Sequence, residues 1–227
     1  MTDSRNDART EVLARVRSSL GLRDGQDSAG TVDVPRAYRR TGTLDAAGLV
    51  DLLVDRLEDY DATVTRCDGT SGEIAGAVRH FLDKAGENTA DHRVMVPAAL
   101  DHDWVSTLDA EILDDSTEAP VGLDEMNDVS AVVTSSAVSV ADTGTIMLVG
   151  PESGRRATTL VPDHHVVVVK VADIVEIVPE AITRLVSEGF DDHPVTMVSG
   201  PSATVDIELI RVQGVHGPRT LDVVIAG

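Results

Sequence analysis

Hydrophobic positions recur along this chain with two different periods. In DARTEVLARVRSSLGL, Val12, Leu13, Val16 and Leu20 fall at helical spacing and Gly21 acts as a stop, which predicts an amphipathic helix within residues 1–22. Residues 23–42 lack that periodicity, and their first part, RDGQDSAGTVDVP, is polar and rich in Gly and Asp; they read as a linker. From residue 43 helical and strand patterns alternate. Helices are predicted near 44–59 (Leu49, Val50, Leu53, Val54, Leu57) and 72–84 (Ile74, Val78, Phe81, Leu82), with a short strand near 62–66 between them. HRVMVP (92–97), the stretch around Ile112, SAVVTSS (130–136) and TIMLVG (145–150) read as strands. ATTLVP (157–162) and HVVVVKV (165–171) continue with β-branched residues, so the middle section is strand-rich. A helix near 179–187, a strand VTMVS (195–199), a helix starting near Ser202 and a last strand TLDVVIA (220–226) complete the pattern. Such alternation predicts an α/β layered domain over 43–227 around a mainly parallel sheet, with some antiparallel hairpin in its centre.

Charge narrows the partners. Nineteen Lys+Arg stand against 39 Asp+Glu, a formal charge of −20. A field of that sign repels phosphate backbones, and no basic stretch offsets it, so no nucleic-acid partner is expected. Lys84 and Lys170 are the only lysines, whereas arginine is plentiful and Asp dominates the acids, a bias that resembles proteins of salt-loving microbes. No apolar run approaches the roughly 18–20 residues of a membrane span, and MTDSRNDART has no apolar leader core. A cytoplasmic chain without a membrane span is the expectation.

Cys67 is the single cysteine. One cysteine excludes an internal disulfide, a thiolate zinc site and an iron–sulfur cluster within one chain. At the end of the strand-like ATVTRC it reads as a partly buried structural thiol. No His-Glu-x-x-His spacing occurs either, so no metal is expected; the remaining route is a His165/His216 pair brought together by folding.

Three segments carry candidate chemistry. In VSGPSATVDIE (198–208) a strand runs into Ser199-Gly200-Pro201-Ser202, and a helix beginning there would point its amides at an anion. The same residues suit an ordinary capped turn, and Val205, Ile207 and Leu209 also fit strand alternation. GVHGPRT (214–220) places His216 between glycines and Arg219 after a proline, a titratable group beside a carboxylate- or phosphate-binding cation, or else a plain turn. In ADTGTIMLVGPESGRRATTLVPDHHVVVV (141–169), Arg155 and Arg156 sit in a turn, and His164 and His165 at a strand entrance point to opposite faces, so only one of them reaches a site. Phosphate-loop, dinucleotide-fingerprint and nucleophile-elbow motifs are absent from the sequence.

DTGTIML, GRRATTLVPDHHVVVV, VPEAI, SGPSATVDIE and GVHGPRTLDVVI, in this order, resemble the LUD domain of lactate-utilisation proteins, most of all the C type, which is little more than this domain. The resemblance is strong over 130–227. It implies a fold related to the 5-formyltetrahydrofolate cyclo-ligase and CoA-transferase group. It also implies membership of a three-component system oxidising lactate to pyruvate, whose other subunits carry the cysteine-rich and iron–sulfur segments. The signature positions it carries over are Thr143, Gly144, Thr145, Gly154, Arg155, Pro162 and His165, then Ser199, Gly200, Pro201, Ser202, Asp206 and Glu208, and finally Gly214, His216, Gly217, Pro218 and Arg219; where the family usually has Glu, this chain has Asp142. The resemblance leaves the cofactor unknown and assigns no catalytic residue.

The leading expectation is the cluster-free subunit of a lactate-oxidising complex. It would hold a small organic acid or phosphate-bearing ligand in one pocket formed by Arg155, His165, Ser199, Gly200, Ser202, Glu208, His216 and Arg219, with Arg156 on the solvent side. Two alternatives stand beside it: an autonomous enzyme of the cyclo-ligase or CoA-transferase kind, and a non-catalytic assembly or regulatory module docking through its N-terminal helix.

Overall fold

The computed structural model describes residues 3–22, 33–204, 212–213 and 217–227. The chain forms two units, 1–38 and 39–227. The first contains α1 (Asp3–Ser19), which stops where the sequence predicts: Gly21 takes a φ of 64° and the Leu22 amide turns back to the Arg17 carbonyl. Among the described residues no helix is long and apolar enough to cross a membrane.

The second unit is built on six parallel strands. β1 (Thr63–Cys67), β2 (Arg93–Pro97), β3 (Glu111–Asp115), β4 (Ala131–Ser135), β7 (His164–Lys170) and β12 (Thr220–Ala226) lie in the order β1-β12-β7-β4-β2-β3. β4 is buried throughout, and β7 and β12 nearly so, which explains their unbroken apolar runs: both faces of a parallel sheet are covered. On one face lies α3 (Ser71–Ala85), capped by Thr70 and ended by Gly86, packing Ile74, Val78, Phe81 and Leu82 on Val94, Val133, Val166 and Val224. On the other lies α2 (Ala46–Asp59), whose first turn is capped by Asp45 accepting from the Gly48 amide at 2.9 Å. Its Leu53 and Leu57 meet Val167, Leu221 and Val223.

A smaller sheet also covers that second face. It comprises β5 (Val138–Val140), β6 (Thr145–Leu148), β8 (Ile174–Val175) and β9 (Thr196–Val198) in the order β8-β5-β6-β9, with β5–β6 as the expected antiparallel hairpin. Its far side carries α5 (Val178–Ser187), which buries Ala181 and Leu185 on Val138, Val140 and Met147. The carboxylates of Glu176 and Glu180 receive the amides of Thr43, Leu44 and Gly42, and so pin the start of the unit to α5. The short α4 (Leu123–Asn127) closes the β2–β4 end, where Met126 packs on Met95 and Val132.

Two expected elements are corrected. ATTLVP is not a strand: Arg156–Thr159 form a 3-10 turn, because Thr158 Oγ1 and the Arg155 guanidinium both reach across to the buried carboxylate of Asp115. No helix begins at Ser202. Its amide donates to the Pro218 carbonyl at 2.8 Å, and Ala203–Thr204 (β10) pairs antiparallel with Val212–Gln213 (β11).

Candidate functional site

The DTGT and SGPS turns are pressed against the end of α2. Gly144 has a φ of 59°, and a Cβ there would come 2.8 Å from Arg56 Cβ. Gly200 has a φ of 84°, and its Cβ would come 2.5 Å from Tyr60 Cβ and 2.8 Å from the Tyr60 carbonyl oxygen. A side chain fits at neither position without moving the helix backbone. The two turns share a hydroxyl chain: Thr143 Oγ1 to Thr145 Oγ1 at 2.8 Å, then Thr145 Oγ1 to Ser199 Oγ at 2.9 Å. Ser202 is tied to Pro218, while the Arg219 and Thr220 amides donate to the Asp163 carbonyl, so these loops meet at the amino ends of β7 and β12.

Two adjoining lobes result. The smaller, of about 260 Å³, is lined by Ser199 to Ala203, His165, Gly217, Pro218 and Leu221. The larger, of about 650 Å³, is lined by Asp115 at the end of β3, by residues following β2 and β3 (Ala98, Ser116), by Gly154 to Arg156, and by Phe190 and His193. Thr159 and Thr196 line both, so the two lobes adjoin along these side chains. The structure thus gathers Ser199, Gly200, Ser202 and His165 in the small lobe and places Arg155 in the other. Arg219 is exposed, with its guanidinium 3.2 Å from Asp163. Glu208 and His216 lie outside the described residues.

The adjacent histidines have opposite electrostatics. His165 is fully buried with Nε2 2.8 Å from Thr134 Oγ1; burial, and then the neighbouring charge of His164, push its pKa down to about 3. It is a neutral hydrogen-bonding wall at physiological pH and brings the lobe no positive charge. His164 faces the other side of the sheet. Burial opposes its charge, but hydrogen bonds from Nε2 to Asp222 at 2.9 Å and from Nδ1 to Glu87 at 2.6 Å prevail and raise its pKa to about 9.

Asp115 escaped the sequence reasoning. Burial works against its charge, yet bonds from Arg155, the Val121 amide and Thr158 hold its pKa below the usual carboxylate value. Arg155 is thereby committed to an internal pair that fixes the GRR turn on β3. The one signal in the sequence was an acidic residue ending an apolar strand, EILDD, and its side-chain partners Arg155 and Thr158 lie 40 and 43 residues away.

Comparison with known proteins places this architecture. The model of the LUD domain matches residues 78–226. Lactate utilization protein C of Deinococcus radiodurans is 38% identical over 191 residues, covering 84% of this chain and 85% of that protein. Lactate utilization protein C of Bacillus pumilus is 28% identical, covering 92% of both. The crystal structure of a DUF162 family protein from Deinococcus radiodurans superposes with a TM-score of 0.66 at 34% identity, over 82% of this chain and all of that one. With more than half of the chain matched, and its glycine-dependent turns and parallel sheet accounted for, the protein belongs to the LUD-domain family of lactate-utilisation proteins.

Proposed function

We propose that this protein is the cluster-free subunit of a system oxidising lactate to pyruvate, and that its smaller lobe binds the organic acid. The observation that carries the reading is the meeting of Ser199, Ser202 and His165 in a lobe of about 260 Å³, a size suited to a small acid. Hydroxyls from Ser199 and Ser202 donate to the carboxylate beside the neutral imidazole of His165. Arg219 lies beside this loop in an exposed pair with Asp163, a kind of contact worth only about 0–1 kcal/mol, so its guanidinium is available to an incoming anion. Oxidation removes two electrons and two protons from lactate. A chain with one cysteine has no cluster ligand set, so the electrons leave through the iron–sulfur and cysteine-rich partner subunits.

Calorimetric titration of lactate and pyruvate into the full chain tests this directly. Ser202→Ala and Arg219→Ala should each weaken binding, the latter about tenfold, the loss of one charge-assisted pair. Lactate-dependent dye reduction should require co-purified iron–sulfur subunits. Turnover of ATP or CoA substrates by the isolated chain would replace this reading with that of an autonomous enzyme.

A further inference from the structure

The larger lobe is oversized for a three-carbon acid. Such an acid displaces about three or four waters, roughly 100 Å³ at ~30 Å³ each, whereas this lobe measures about 650 Å³. It lies outside the carboxyl ends of parallel strands, the crevice where open α/β sheets take their ligands: Ala98 follows β2 and Ser116 follows β3. Much of its wall is apolar, including Leu148, Val149, Pro194 and the ring of Phe190. Phe190 is one of only two phenylalanines in the chain. Its ring is held in place by Gly150, where a Cβ would approach to 3.0 Å, and by His193, edge-on at 5.5 Å between ring centroids.

Arg156 adds a second, independent signal. In this acidic chain the body's arginines generally stand beside a carboxylate: Arg39, Arg66, Arg93, Arg155, Arg184 and Arg219 each meet one. Arg156 makes no ion pair among the described residues, and it lines the larger lobe. A guanidinium in that wall without a carboxylate beside it is open to an anion from outside, and its planar fork suits phosphate.

We propose that the larger lobe binds a planar heteroaromatic ring joined to a phosphate, the chemistry shared by nucleotides and flavin mononucleotide, with the ring against Phe190 and the phosphate on Arg156. Glu118 also lines the lobe and favours such a ligand over a bare polyanion, since a carboxylate accepts from ribose or ribityl hydroxyls but repels free phosphate. The proposal rests on the lactate reading only in treating the groove as a ligand site.

The test is titration of ADP, NAD+, FMN, adenosine and pyrophosphate into the full chain, with melting temperature recorded for every variant. At least one of the first three should bind tenfold or more tighter than both adenosine and pyrophosphate. Arg156→Ala should weaken that ligand at least tenfold, and Phe190→Leu should weaken it while sparing pyrophosphate. The proposal is overturned if pyrophosphate binds as well as the best nucleotide, if Arg156→Ala changes nothing, or if no ring-bearing phosphate binds the folded protein. Titrating lactate into the same samples separates the two readings. A nucleotide without lactate leaves this site standing and empties the smaller lobe, and lactate without any nucleotide does the reverse.

Discussion

The two faces of the parallel sheet solve the same problem, a polar group at the head of β7, in opposite ways. Beneath α3, His164 is charged and clamped between Glu87 and Asp222. Beneath the second sheet, His165 is neutral, bonded to Thr134, and looks into the groove. The clamped face is closed and its charges are spent on one another. The neutral face leaves its polarity for a ligand. Being next to each other in sequence therefore says nothing about shared chemistry, because successive strand residues belong to different environments.

Removing one jaw of the clamp should have the largest effect. Asp222→Ala leaves His164 half-partnered in the interior and should cost about 3–5 kcal/mol, read by denaturant unfolding. Should it cost under 1 kcal/mol, the clamp is not what closes that face. On the groove side, Gly200→Ala should cost roughly 2–4 kcal/mol from positive φ and the collision with Tyr60, and should also impair acid binding.

The pH profile sharpens the contrast. His164, raised to about 9 in the fold, contributes stability that is complete below about 6.5 and lost as pH rises through 9. His165, lowered to about 3, contributes stability present above about 6.5 and lost as pH falls toward 3. Melting temperature should therefore peak near pH 6.5, and His164→Gln should flatten the alkaline limb and, by removing a charge that helps depress His165, slightly soften the acid one. Thr134→Val, which removes the neutral bond alone, should cost about 1 kcal/mol. Smallest of all should be the effect of salt on the clamp. Molar salt screens the −20 surface to about 3 Å and should raise the melting temperature of the wild type and of Asp222→Ala by nearly equal amounts.

What was legible in the sequence followed local rules. The Val166–Val169 run, the α2 and α3 stripes and the Gly21 stop depend on neighbours within a few residues, and each stands where its pattern predicts. ATTLVP and the Ser202 turn were misread because distant partners decide them: Asp115 for the first, the Pro218 carbonyl for the second. The expectation of one pocket brought the SGPS and GPR loops together, and the Ser202 amide meets the Pro218 carbonyl. That expectation did not reveal that Arg155 would be consumed internally, since its commitment to the buried Asp115 spans 40 residues.

The open sheet has one further consequence, for solubility. Among the described residues its rims, β1 and β3, have no further strand on their outer sides, leaving edges on which another chain could template itself. On β3 the exposed positions are Glu111 and Asp114, and on β1 Arg66 stands outward, paired to Asp51 at 2.9 Å. A strand arriving edge-on at β3 would have to crowd the Glu111 carboxylate and the Asp114 carboxylate, which meets His102 Nε2 at 3.1 Å. The acidity that resists phosphate backbones thus also works as a gatekeeper against fibril-like addition. Glu111→Val with Asp114→Thr should turn that rim into an aggregation seed while leaving the core untouched.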